Sequence, residues 1–277
     1  MLNRFYVDNI INTALAEDIN YIDVTTDNLL QDGDVSEAYF VAKDSGILCG
    51  IDVAARVFDL AGGNVEKEIL LKDGAPIKKG DYIAFFRGSA KTLLKGERTA
   101  LNLIQHMSGI ATAANECVKL VEGTNASIAD TRKTLPGLRA LQKYSVTVGG
   151  GKNHRFNLSD GAMLKDNHID AYGSITGAVS ALRKKAGHML KIEVEELEEA
   201  LENKCEVIML DNMSDDEMKK AVEITNGRAL LEASGNITLD NIRQKALTGV
   251  DIISLGALTH SVRCFDISMK IKSCDHK

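Results

Sequence analysis

The chain has no tryptophan, and aromatic residues make up only 5% of its 277 positions, so an aliphatic core is expected. Its five cysteines (Cys49, Cys117, Cys205, Cys264, Cys274) are odd in number and contain no C-x-x-C pair. That pattern argues for a reducing compartment and against a disulfide framework or zinc knuckle. No apolar run approaches the ~18 residues of a membrane-spanning helix. The first residues, MLNRFYVDNI, carry Arg4 and Asp8 and lack the apolar stretch of a signal peptide. A cytoplasmic protein is expected. Internal repeats beyond a strand-helix unit and low-complexity tracts are also missing. The formal net charge is −6, which argues against nucleic acid as a partner, since such domains are usually basic overall.

Against that acidic background, Asp130 to His168 stands out. It holds seven Lys/Arg (Arg132, Lys133, Arg139, Lys143, Lys152, Arg155, Lys165) against three Asp, a local net of +4. A basic focus of this kind concentrates a small anion. The cations are placed where apolar runs give way to loops. Arg132 and Lys133 follow Ser127–Ala129, His154 and Arg155 follow the glycine run at 149–151, and Lys165 follows Ala162–Leu164.

The periodicities give two architectures. Val7, Ile10, Ile11, Ala14 and Leu15 share one face of a first helix. Residues 36–94 alternate short β-like runs (39–41, 68–71, 82–86, 91–94) with glycines and contain one helix near 52–60. After Gly96 a strong helix is expected, with Ala100, Leu103, Ile104, Met107, Ile110 and Ala111 on its apolar face and Arg98, Asn102 and Gln105 on another. From about residue 126, six continuous apolar runs alternate with helices: 127–129, 162–164, 190–194, 207–210, 229–231 and 251–255. Ser174, Ser214 and Thr238 sit at N-cap positions. This pattern predicts a parallel sheet buried on both faces, two strands short of a full eight-stranded barrel. The tail 265–271 returns to period two and is expected to rejoin the first domain as a strand.

In an α/β barrel the strand ends share one rim, where active sites are built. Here those ends are Asp130 with Arg132 and Lys133, Lys165, Glu195, Asp211, Glu232 with Ser234 and Gly235, and Gly256. Ser234-Gly235-Asn236, ahead of a helix expected near Thr238, and Gly256 form candidate phosphate turns. Glu195 and Asp211 are hard oxygen donors suited to Mg²⁺, with Glu193, on the same strand face, the alternative to Glu195.

Several long segments, in order, closely resemble quinolinate phosphoribosyltransferase, the decarboxylating nicotinate-nucleotide pyrophosphorylase family of NAD biosynthesis. They are GERTALNLIQHMSGIAT, DTRKTLPGLRALQKY, GGGKNHRFNLSDGAMLKDNHI and LEASGNITLDNI, and the resemblance runs nearly end to end. It implies an open, incomplete α/β barrel (111–261) with an N-terminal α+β sheet domain (1–110) completed by the C-terminal tail (262–277). It also implies a reaction: quinolinate and phosphoribosyl pyrophosphate give nicotinate mononucleotide, pyrophosphate and CO₂, with Mg²⁺. Arg132, His154, Arg155 and Lys165 would meet the two quinolinate carboxylates. Lys133, Lys165, Glu195 and Asp211 would carry the chemistry. Arg98 would reach the site of a neighbouring subunit, making a homodimer with a shared active site. His260, a rim histidine on the sequence alone, would lie near phosphoribosyl pyrophosphate. Asn236 stands where some relatives have a second glycine, and asparagine tolerates the left-handed conformation.

Three rival readings differ in chemistry. A paralogous phosphoribosyltransferase of the molybdenum-transport-associated type would use another acceptor, but the intact TRKT, NHR and KDNH segments argue against it. A Schiff-base lyase would need Lys165 as a desolvated nucleophile, for which a crowd of arginines beside two carboxylates is a poor pocket. A catalytically silent anion-binding protein would not require the full complement of candidate ligands.

Overall fold

Alternation along one strand sets up the first unit. In β1 (Val35–Ala42), Ser36, Ala38, Phe40 and Ala42 point inward and are buried, while Val35, Glu37, Tyr39 and Val41 are half-exposed. The computed structural model describes residues 2–186, 190–193 and 197–272, with backbone alone at 186 and 190–193. Before β1 come helices α1 (Arg4–Asp18) and α2 (Thr26–Leu29). After it come β2 (Gly46–Ile47), α3 (Ile51–Ala61), β3 (Val65–Ile69), β4 (Pro76–Ile77), β5 (Tyr82–Ser89) and α4 (Ala90–Leu120).

The chain divides into two compact units: residues 1–115, 134–150 and 259–277, and residues 116–133 with 151–258. The first contains a four-stranded antiparallel sheet in the order β12-β1-β5-β3, where β12 is Ile267–Ile271. The tail thus returns to pair with β1, Phe40 opposite Met269. Gln105 on α4 secures it, its side-chain amide donating to Ile267 O at 2.7 Å and its backbone carbonyl accepting Phe265 N–H at 2.9 Å.

Several expectations for this unit fail. Its core is not purely aliphatic: Phe40, Phe58 and Phe86 pack together, with ring centroids 4.9 Å apart for two of the pairs. Three of seven phenylalanines are thus spent on one contact cluster, which yields more per ring than scattered placement. Residues 91–94 are not a strand either, and Gly96 does not precede the long helix but lies inside it. Glycine is required there because a Cβ would sit 2.8 Å from Phe58 Cδ1, so α4 can approach the aromatic cluster only at a bare position. Helix α5 (Arg139–Val148), expected within 111–261, groups with the first unit, where Leu141 is buried and Leu138, Tyr144 and Val148 pack against the same core.

The second unit carries β6 (Ser127–Ala129), β7 (Ala162–Leu164), β8 (Leu190–Glu193), β9 (Val207–Asp211), β10 (Leu230–Ser234) and β11 (Ile252–Ser254). The intervening helices are α6 (Asp166–Tyr172), α7 (Ile175–Ala186), α8 (Leu197–Glu202), α9 (Asp215–Thr225) and α10 (Ile242–Leu247), with α11 (Ala257–His260) after β11. The six strands run in the order β6-β11-β10-β9-β8-β7, every pair parallel. The first strand closes on the last but not on the second, so this is a barrel opened between β6 and β7, as expected. Ile128, Leu164, Ile208, Leu210, Leu231 and Ile253 are buried aliphatics, and no aromatic is among the buried residues described in this unit. Ser214 caps α9 in a reciprocal box with Glu217.

Candidate active site

The open edge of the barrel is where the site begins. Asp130, at the end of β6, is fully buried, and its Oδ1 accepts the backbone N–H of His154 at 2.9 Å. Its own N–H donates to Lys152 O at 3.1 Å, and Lys152 N–H donates to Ile128 O at 2.8 Å. Residues 151–154 therefore lie along β6 as a short parallel extension, bridged at Ala129 and Lys152. The same contacts cover an edge that would otherwise present unpaired backbone and bring His154 and Arg155 beside Arg132 and Lys133. Arg155 is itself anchored, with Nη1 donating to Gly161 O at 2.8 Å and Nη2 3.5 Å from Met163 Sδ.

These groups line one cavity of about 310 Å³. Arg132, Lys133, His154, Arg155, Lys165, Asp211 and Ser234, all singled out from the sequence, share its wall. The placement follows from strand geometry. Met163 and Lys165, Met209 and Asp211, and Glu232 and Ser234 are pairs two residues apart, so each strand turns the same face inward twice.

The turns after β9 and β10 interlock above it. Asn212, Gly235 and Asn236 all adopt positive φ (55°, 87° and 49°). Asn212 N–H donates to Ser234 O at 2.9 Å, and Asn236 Nδ2 donates to Asn212 Oδ1 at 3.0 Å. Asparagine does tolerate the position that glycine holds elsewhere. The helix expected near Thr238 starts later, however. Thr238–Asn241 form a turn closed by Thr238 N–H to Asn241 Oδ1 at 2.9 Å, and α10 begins only at Ile242. Ser234-Gly235-Asn236 therefore offers its own backbone N–H groups, without a helix terminus directly behind them.

The remaining expected residues lie elsewhere. Gly256 is half-buried just before α11 and is not part of the cavity wall. Arg98, exposed on α4, and His260, exposed with Nδ1 2.7 Å from Ser261 Oγ, belong to the first unit. Glu195 lies outside the described residues, and of Glu193 only the backbone, the last residue of β8, is described. Among the described residues no group of three or more His, Cys, Asp or Glu converges to hold a metal, and no helix is long and apolar enough to cross a membrane.

Four wall residues were not anticipated at the rim, Thr131, Met163, Met209 and Ser254, and a fifth, Glu232, was expected there only as a strand end with no assigned role. Thr131 Oγ1 accepts Lys133 N–H at 3.0 Å, which shapes the cation-bearing turn. Glu232 is the most consequential, because its side chain is 0% exposed and its Oε1 lies 3.9 Å from His154 Nε2, a ring itself only 7% exposed. A carboxylate flanked by leucine, alanine and serine inside an apolar strand was the available signal. An expected strand end at residue 231 displaced it into the loop.

Two family models cover the chain: the N-terminal domain of quinolinate phosphoribosyl transferase matches residues 23–108, and its C-terminal domain matches residues 110–270. The chain is 45% identical over 276 residues to a probable nicotinate-nucleotide pyrophosphorylase [carboxylating] of Bacillus subtilis, covering 98% of this chain and 95% of that protein. It is 44% identical to the Mycobacterium leprae nicotinate-nucleotide pyrophosphorylase [carboxylating], covering 94% and 95%. Its fold matches the crystal structure of NadC from Streptococcus pyogenes with a TM-score of 0.94 at 40% identity, covering 98% of both chains. A cationic barrel mouth and two matching domain models over nearly the whole chain place this protein in the quinolinate phosphoribosyltransferase family.

Proposed function

We propose that the barrel cavity is where this enzyme joins quinolinate to phosphoribosyl pyrophosphate and releases nicotinate mononucleotide, pyrophosphate and CO₂. The observation that carries this reading is the convergence of Arg132, Lys133, His154, Arg155 and Lys165 on one cavity of about 310 Å³, a size suited to a small ligand. Quinolinate is a dianion. Arg132 and Arg155 can each meet a carboxylate with a planar fork, and His154 adds a ring N–H.

The ring nitrogen attacks the anomeric carbon of the ribose as the bond to pyrophosphate breaks. Positive charge develops on the sugar and negative charge on the leaving group, and Lys133 and Lys165 face that negative charge. The product nitrogen is a pyridinium, so the electron pair left by departing CO₂ is stabilised by the ring, and the adjacent carbon then takes a proton. The Ser234-Gly235-Asn236 turn is suited to the ribose phosphate, because a turn of successive positive-φ residues at a strand end can aim backbone N–H groups at an anion.

Mg²⁺ fits the donor set: Asp211 is exposed on the cavity wall, and this ion commonly takes one or two carboxylates with substrate phosphate oxygens completing its shell. Glu195, or Glu193 beside it, would be the second carboxylate. Bound there, Mg²⁺ would neutralise the pyrophosphate charge. The enzyme is further proposed to act as a homodimer, exposed Arg98 of each copy reaching the quinolinate of the other, with His260 near the sugar phosphate. A cytoplasmic setting accords with Cys49, Cys117, Cys205 and Cys264 all being free.

The test is incubation with carboxyl-labelled quinolinate and phosphoribosyl pyrophosphate, following labelled CO₂ and nicotinate mononucleotide. Arg132→Ala and Lys165→Ala should abolish both products while leaving the circular dichroism spectrum intact; near-native turnover by either would refute the site. Mixed Arg98→Ala and Lys165→Ala subunits should recover activity, and its absence in verified heterodimers would refute sharing.

A further inference from the structure

A fully buried carboxylate in the wall of a cation-rich cavity needs a reason, because an anion removed from water is costly unless charge or hydrogen bonds compensate it. Glu232 is such a group. It faces the cavity from the middle of β10, and its Oε1 is 3.9 Å from His154 Nε2. The backbone of His154 is fixed separately by Asp130, whose Oδ1 takes the His154 N–H. One buried carboxylate thus holds the main chain of residue 154, and a second faces the tip of its ring.

We infer that Glu232 is a positioning residue: it orients the His154 imidazole and keeps it in the charged form that can donate from both ring nitrogens. The inference rests on the reading of the cavity as a quinolinate site.

The charges around His154 make the need concrete. Arg132 and Lys133 enter from the loop after β6, Lys152 and Arg155 flank it on its own segment, and Lys165 comes from the end of β7. Asp130 ends β6, Asp211 ends β9, and Glu232 stands on β10. A histidine among that many cations is driven towards its neutral form. Neutral imidazole has one donor, and one nitrogen would then turn a lone pair towards the substrate carboxylate. An anion a few ångströms away, shielded from water, opposes this and leaves the other N–H for the ligand. The remaining strand of this wall, β8, is described by its backbone alone at 190–193.

The decisive variant is Glu232→Gln, which keeps shape and removes charge. If the positive imidazole is lost above pH 7, kcat/KM for quinolinate should fall about tenfold at pH 8 for each unit by which the histidine pKa drops. The deficit should shrink as the pH is lowered towards 6, with KM for phosphoribosyl pyrophosphate changed less than twofold. His154→Gln should lose this pH dependence of kcat/KM altogether, and the double variant should be no worse than His154→Gln alone.

An NMR titration of the wild-type histidines, with His154 assigned by its absence in His154→Gln, supplies a measurement that needs no folded Glu232 variant. A His154 pKa above the ordinary ~6.5 supports the inference, and one below overturns it. A Glu232→Gln enzyme with the wild-type pH profile, or effects that add in the double variant, would also overturn it. If instead His154→Gln leaves quinolinate kinetics untouched, the quinolinate reading of the cavity fails, which is a distinguishable result.

Discussion

Replacing Gly235 with alanine tests the rim turn quantitatively. Gly235 has φ +87°, a region that costs a residue with a side chain about 1–3 kcal/mol. A stiffer unfolded chain returns about 0.4–1 kcal/mol of that. The added methyl would also land on Asn212 Oδ1, 2.6 Å from Cγ and 2.9 Å from the backbone N of the same residue. Asn212 cannot step aside without loosening its bonds to Ser234 O and Asn236 Nδ2, each worth about 0.5–1.5 kcal/mol net. A loss of about 3 kcal/mol is therefore expected. Gly173, which ends α6 at φ +100° with nothing within 4 Å of an added Cβ, isolates the backbone contribution. Gly173→Ala should cost about 1 kcal/mol. Urea unfolding of both variants measures the difference. In Gly235→Ala the displaced turn should also raise KM for phosphoribosyl pyrophosphate by at least tenfold, since about 1.4 kcal/mol of binding suffices for that. Equal stability of the two variants together with an unchanged KM would show that the interlocked asparagine turn neither resists the methyl nor serves the phosphate.

Two further perturbations probe the supports of the site and the first unit. Asp130→Ala leaves the His154 N–H without its buried acceptor and should lower stability by about 2–3 kcal/mol, seen as a lower melting temperature, together with weaker quinolinate binding by calorimetry; a variant that melts and binds like the wild type would refute the clamp. In the first unit, burial holds the His106 imidazole below its ordinary pKa, and Gln142 Nε2 lies 2.9 Å from its Nε2. A depressed folded-state pKa means the unfolded chain takes up the proton first, so this contribution is intact above about pH 6.5 and is lost as the pH falls towards the folded value. The urea midpoint should accordingly drop between pH 8 and pH 5.5 by more in the wild type than in His106→Asn, and equal drops would contradict the assignment.

The parts of the fold that were legible are those where one periodicity dominates. β6 and β7 fall on Ser127–Ala129 and Ala162–Leu164 as expected, because a short apolar run bounded by loop residues has one place to go in a parallel sheet. The paired tail was equally plain in its alternation at 265–271. Failures occur where a local pattern is overruled by a neighbour distant in sequence. Residues 91–94 read as β-like, but they form the first turns of α4 because Thr92 and Leu93 are buried there and Gly96 lets the helix meet Phe58. Likewise, Thr238 resembles an N-cap, yet its N–H is taken by the Asn241 side chain, which closes a turn before any helix starts.

The site shows the same division, with a chemical cause. Cations at loop entrances are visible in a sequence because Lys and Arg are seldom needed in an apolar context, and four of those expected at the site (Arg132, Lys133, Arg155 and Lys165) share one wall. Carboxylates that support them are harder to see, since a single acidic residue beside a strand reads as its solvated end. Asp130 was taken as a strand terminus and Glu232 as the residue after one, whereas both are fully buried and face the same histidine from two sides, one at its backbone and one at its ring. A cavity built to bind a dianion needs surplus positive charge, and that charge must remain organised when no substrate is there to balance it. Anions placed behind the cations satisfy both demands: they lower the repulsion within the cluster without reaching the ligand. In a barrel, the residue two positions back from the rim is where such a group fits, because it faces inward yet lies below the mouth. Glu232, two residues behind Ser234, occupies that position.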